Sequence, residues 1–112
     1  SKSKYPKGVI IAIITDGYEN ESFKFSKNKI FKMIRKRELK DNWSFVFLGA
    51  NQDAIEEGRK FGIHKDRALS FNCSDDGVKN AFYSMSDASI NSFYFDCPVV
   101  FSEEDRKKQK TY

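Results

Sequence analysis

Apolar residues in this chain gather in a few short runs, and the way each run stops matters as much as the run itself. The first, Val9-Ile10-Ile11-Ala12-Ile13-Ile14, ends at a Thr15-Asp16-Gly17 corner followed by Tyr18-Glu19-Asn20-Glu21. It shows no apolar–polar alternation, so both faces of a strand from about Val9 to Thr15 should be covered, as in a parallel α/β sheet. Residues 16–25 read as a polar loop carrying two outlying aromatics, Phe23 and Phe25. Ser26 is placed to cap a helix over roughly 27–40. Ile30, Phe31, Met33 and Ile34 form its apolar side, and Lys29, Lys32, Arg35, Lys36 and Lys40 fall mostly on the other.

Asp41-Asn42 breaks that helix, and a second nearly continuous apolar run, Trp43 to Leu48, predicts a second strand ending at Gly49-Ala50-Asn51. A helix from about Gln52 to Phe61 follows, with Ala54, Ile55, Gly58 and Phe61 on one face and Gly62 suited to its C-terminal stop. A third strand, Ala68 to Phe71, ends at Asn72-Cys73-Ser74-Asp75-Asp76, where Ser74 or Asp75 can cap a longer helix. Its expected buried stripe is Val78, Ala81, Phe82 and Met85, and its expected end lies near Ser92. Beyond it comes one apolar piece, Pro98-Val99-Val100-Phe101, and then a run from Ser102 to Tyr112 that reads as solvated. The α/β domain is therefore placed at 1–95 and a C-terminal tail at 96–112.

The order β-α-β-α-β-α predicts three parallel strands joined by right-handed crossovers. If the strands lie side by side in sequence order, both crossover helices fall on one face of the sheet. The third helix alone then has to cover the other. Three strands also leave two sheet edges to protect. Both points suggest that something further completes the sheet: an N-terminal half, a partner chain, or a second copy in a homo-oligomer.

Composition narrows the class. At 112 residues the chain forms one domain at most, and eleven Phe, five Tyr and one Trp argue for a folded core. No apolar run approaches the length that crosses a bilayer, so no membrane partner is expected. Ser1-Lys2-Ser3-Lys4 precedes a strand too short for a signal core. Two cysteines, Cys73 and Cys97, make no disulfide framework and read as reduced thiols in a cytoplasmic protein.

Parallel strands share one C-terminal edge, where ligands sit in open α/β sheets. That edge collects Thr15, Asp16, Glu19, Asn20, Glu21, Asn51, Asp53, Asn72, Ser74, Asp75 and Asp76. Oxygen donors with almost no imidazole or thiolate suit a hard cation rather than zinc. Asn51, Asp53, Ser74, Asp75 and Asp76 read first as turn and capping residues. Asp16, directly at a strand exit and before Gly17, is the candidate metal ligand, with Thr15, Gly17, Glu19 and Asn51 around it.

Ile13-Ile14-Thr15-Asp16-Gly17-Tyr18-Glu19-Asn20 resembles the third metal-site motif of von Willebrand factor type A domains. Phe45-Val46-Phe47-Leu48-Gly49-Ala50-Asn51-Gln52-Asp53-Ala54-Ile55, with Phe61-Gly62-Ile63 after it, resembles a bacterial and phage branch of that family. The likeness covers about residues 9–90 and corresponds to the C-terminal half of such a domain. It implies a three-layer, Rossmann-like, doubly wound α/β fold, present here in part. It also implies a metal-ion-dependent adhesion site for Mg²⁺ or Mn²⁺, whose coordination an acidic group of a protein partner completes. Of the family's three metal-site loops only the Thr-Asp-Gly corner is present, as Asp16. Asp87-Ala88-Ser89-Ile90-Asn91-Ser92 has the wrong spacing to replace Asp-x-Ser-x-Ser and falls inside the third helix. The expected site is therefore incomplete and its affinity weak, since affinity follows the number and preorganisation of the ligands.

The expected function is a non-enzymatic protein-interaction module, and two other readings stand beside it. Lys29, Lys32, Arg35 and Lys36, in the densest positive cluster of a chain with formal charge +4, could contact a nucleic-acid backbone. The same cluster reads more simply as the solvated face of an amphipathic helix. Asp16 could instead be a phosphoryl-accepting nucleophile, as in receiver-like enzymes. That chemistry calls for further carboxylates and a lysine at neighbouring strand exits, where this chain has Asn51 and Asn72. His64, the single histidine, has no Ser or Cys evidently placed beside it and reads as a turn residue.

Overall fold

The computed structural model describes residues 9–16 and 27–109. Three strands, β1 (Ile10–Thr15), β2 (Ser44–Ala50) and β3 (Ala68–Phe71), form one sheet in the order β1-β2-β3. All pairs are parallel, with Ile10 opposite Ser44 through Thr15 opposite Gly49, and Phe47 opposite Ala68 through Ala50 opposite Phe71. The connections are α1 (Lys27–Lys40) and α2 (Ala54–Arg59), the latter followed by a 3₁₀ turn at Lys65–Arg67; α3 (Asp75–Phe95) and a short α4 (Glu103–Lys107) complete the chain. The protein is an α/β fold with a three-stranded parallel sheet alternating with helices, consistent with a partial Rossmann-like architecture.

The missing alternation in the strands is explained by two cores, one on each side of the sheet. Alternate residues of β2 point to opposite faces. Phe45 and Phe47 enter a cluster with Ile34 of α1, Ala54 of α2, Phe61, Ile63 and Ala68. Val46, Leu48 and Ala50 enter the other, with Leu69, Phe71, Ala81, Ala88, Val99 and Phe101. Each large side chain removed from water here contributes on the order of 1.5–3 kcal/mol before entropy is counted. Gly62 lets the chain turn out of α2, since its φ of +82° lies in the left-handed region that side chains disfavour.

Three expectations change at the C-terminal end. The third helix runs to Phe95, about one turn past the expected stop near Ser92. No Gly or Pro intervenes, and Asp96 ends the helix in a left-handed conformation with its N–H bonded to the Ser92 carbonyl. Phe82, expected in the buried stripe, is instead exposed, because the buried line of α3 is Gly77, Ala81, Ser84 and Ala88. Small residues on that line let the helix lie close to the sheet.

The segment from Ser102, expected to be solvated, docks on the fold. Val99 and Phe101 fill the core beside α3, so α3 does not cover that face alone. Ser102 and Asp105 form a reciprocal cap that starts α4. Arg106 donates to the carbonyls of Ala68 (2.8 Å) and Lys65 (3.0 Å). Gln109 accepts from the Asn72 N–H at 2.9 Å, so main-chain groups at both ends of β3 are bonded by this segment. The other edge differs: among the described residues β1 pairs only with β2, and Ile14 is 52% exposed.

Candidate functional site

The parallel register brings the three strand exits to one edge, as expected. Thr15 lies opposite Gly49 and Ala50 opposite Phe71, so Asp16, Asn51 and Asn72 each leave the sheet at neighbouring positions along it. Asp16 and Asn51 are exposed, while Thr15 and Asn72 are half-buried. Gly17, Glu19, Asn20 and Glu21, expected beside the metal ligand, lie outside the described residues.

Most polar groups at this edge bond to one another. Gln52 Nε2 donates to Thr15 Oγ1, tying the β2 exit to the end of β1. Asn51 takes a left-handed φ of 55°, a conformation Asn tolerates better than most residues. Its N–H donates to the Phe71 carbonyl at 2.8 Å, and its side-chain oxygen accepts from the Cys73 N–H at 3.2 Å. Asn51 is thus a brace between two loops, and its oxygen already has a donor. Asp53 caps α2 by accepting from the Glu56 N–H at 3.1 Å, and Ser70 Oγ accepts from the Ala54 N–H at 2.9 Å. Ser74 caps α3 by accepting from the Gly77 N–H at 3.0 Å. Asp75 and Asp76 occupy the first turn of that helix, where the dipole favours negative charge. The capping roles expected for Asp53 and Ser74 are therefore present.

Sequence reasoning missed two glutamines. Gln52 reads only as the start of a helix, and Gln109 only as part of the solvated run from Ser102. Gln109 is buried; it accepts from the Asn72 N–H, donates to the Gly77 carbonyl at 3.0 Å, and its own carbonyl accepts from Asn72 Nδ2 at 2.5 Å. A lone Gln among charges gives no pattern that could have flagged it. Gly77 belongs to the same junction, because a Cβ there would stand 2.1 Å from the Asn72 carbonyl oxygen.

The edge offers a cation few carboxylates. Asp16 is an exposed carboxylate at the exit of β1, beside Thr15 Oγ1, which accepts from Gln52, and across the sheet edge from Asn51 Oδ1, which accepts from the Cys73 N–H. Among the described residues no group of three or more His, Cys, Asp or Glu comes together to hold a metal ion. A hard cation fits this donor chemistry only in part, and further oxygens must come from outside the described residues.

The other candidates also have definite places. Lys29, Lys32, Arg35 and Lys36 are all exposed, on the side of α1 away from buried Ile34. Arg37 is committed elsewhere: it pairs with Asp41 at 2.7 Å and lies 5.1 Å over the Trp43 ring. Trp43 packs against Phe45 with centroids 6.2 Å apart, so it is a rim residue of the core. His64 begins the 3₁₀ turn, its Nδ1 accepting from the Asp66 N–H at 3.1 Å. No described helix is long and apolar enough to cross a membrane. No protein-family model, curated protein or solved structure matches this chain.

Proposed function

We propose that this chain is the C-terminal part of a type A-like interaction module, in which Asp16 contributes to a Mg²⁺ or Mn²⁺ site that engages an acidic group of a protein partner. One observation carries this reading: the sheet order sets Asp16 on the exposed exit of β1, in line with the exits of the two neighbouring strands. The Gln52–Thr15 and Asn51–Cys73 bonds support it, because they hold the loops around Asp16 in fixed relation to one another.

The asymmetry of the sheet supports incompleteness. Edges of sheets are normally paired, covered or blunted. Here β3 is bonded by the C-terminal segment, whereas β1 has β2 as its sheet neighbour among the described residues. The missing N-terminal half of the domain, or a partner chain in its place, would continue the sheet at β1 and bring the remaining metal ligands next to Asp16. Asp16 then tunes the ion and performs no catalysis.

Thermal unfolding in EDTA and across a Mg²⁺ and Mn²⁺ titration tests this reading. A ligand that binds only the native state adds about 2.7 kcal/mol at a hundred times its dissociation constant. The expected result is a rise in Tm at millimolar metal that Asp16→Ala abolishes. A rise that persists in Asp16→Ala, or no rise at any metal concentration, rejects Asp16 as a ligand in this chain.

A further inference from the structure

Helix α3 has a second apolar face. Successive helical residues turn by about 100°, which places Phe82, Tyr83, Ile90, Phe93 and Tyr94 within a sector of about 120°, opposite the buried line Gly77–Ala81–Ser84–Ala88. All five lie on the surface, with exposures from 53% to 73%, and the rings of Phe93 and Tyr94 touch edge to face at 5.3 Å. Exposed apolar residues scattered singly need no explanation, but five large ones, four of them aromatic, gathered on one face of a helix mark an interaction surface.

We infer that this stripe is the interface of an antiparallel dimer, with the same face of a second copy as its occupant. The order along the helix is self-complementary. The pair Phe82-Tyr83 recurs as Phe93-Tyr94, separated by about 16 Å of helix rise. A two-fold axis at the level of Ala88 sets Phe82 against Tyr94 of the second copy, Tyr83 against Phe93, and Ser86 against Ile90. This is the isologous arrangement that closes into a dimer.

The charge placement agrees. Lys79, exposed at the start of the stripe, falls beside the C-terminal turn of the second α3 and its exposed Asp96, where a cation is favoured. At their usual surfaces, the four aromatic side chains and Ile90 would cover about 600 Å² per copy, or ~1,200 Å² in all, the lower limit of a standard specific interface. Interfaces at the low end of the size range are typically weak, so a dimer of micromolar strength is expected. The stripe involves neither Asp16 nor the strand-end edge, so it succeeds or fails independently of the metal reading.

Sedimentation equilibrium of the full chain tests it. A monomer–dimer equilibrium is expected in the micromolar range, weakened at least about tenfold by Phe82→Ser or Phe93→Ser, since aromatic anchors dominate such interfaces. Both side chains are exposed, so unchanged far-UV circular dichroism will separate lost association from lost folding. Asp87 lies at the rim near the axis, where two copies bring like charges together, so Asp87→Asn should tighten the dimer. A monomer at every concentration overturns the inference. So does a dimer indifferent to both aromatic substitutions, or one that Asp87→Asn weakens.

Discussion

Polar side chains near the sheet matter mainly for what they bond to. Asp53, His64, Ser74 and Ser102 each accept from a backbone N–H two or three residues ahead, which is how short loops here start helices and turns. Ser84 is the counter-example. It is fully buried in α3 with its hydroxyl oxygen lacking a hydrogen-bond partner. A buried hydroxyl without a partner costs stability, and Ala is the better helix former. Ser84→Ala should therefore raise unfolding stability by about 1 kcal/mol in urea titration; a loss of stability would show that the hydroxyl has a role in packing.

At the scale of elements, buried Gln109 joins β3, α3 and the C-terminal segment. Removing the Gln109 side chain leaves the Asn72 N–H without its acceptor and the Gly77 carbonyl without that donor. Gln109→Ala should cost about 2 kcal/mol, close to the penalty for abandoning buried polar groups. A chemical-denaturation midpoint equal to wild type would mean that water replaces the glutamine. This junction also marks where the sequence stops being legible. The three strands and the helices between them follow from continuous apolar runs ended by Asp-Gly, Gly-Ala-Asn and Asn-Cys-Ser, and the structure places them close to those bounds. Docking of the tail rests on isolated residues, Val99, Phe101, Arg106 and Gln109, which form no period. Phe82 departs from its expected burial for a related reason: α3 has apolar residues on two faces, so spacing alone does not say which face meets the sheet.

For the molecule as a whole, the sheet has one edge bonded by its own C-terminal segment and another, at β1, where the strand exit carries Asp16. The Thr-Asp-Gly corner was visible in the sequence, and parallel register could be argued from the covered faces. The bracing of the edge by Gln52 and Asn51 could not, because it depends on contacts between loops far apart in the chain. A cation at Asp16 would sit beside the β1 exit, with the β2 and β3 exits about 5 and 10 Å further across the sheet. The most direct measurement is Mn²⁺-induced broadening of backbone amide resonances in the ¹⁵N-labelled chain. Our account predicts selective loss of signals from Thr15, Asp16, Asn51, Gln52 and Asn72, restored in Asp16→Ala or on adding EDTA. Broadening centred elsewhere, or an identical pattern in Asp16→Ala, would contradict it.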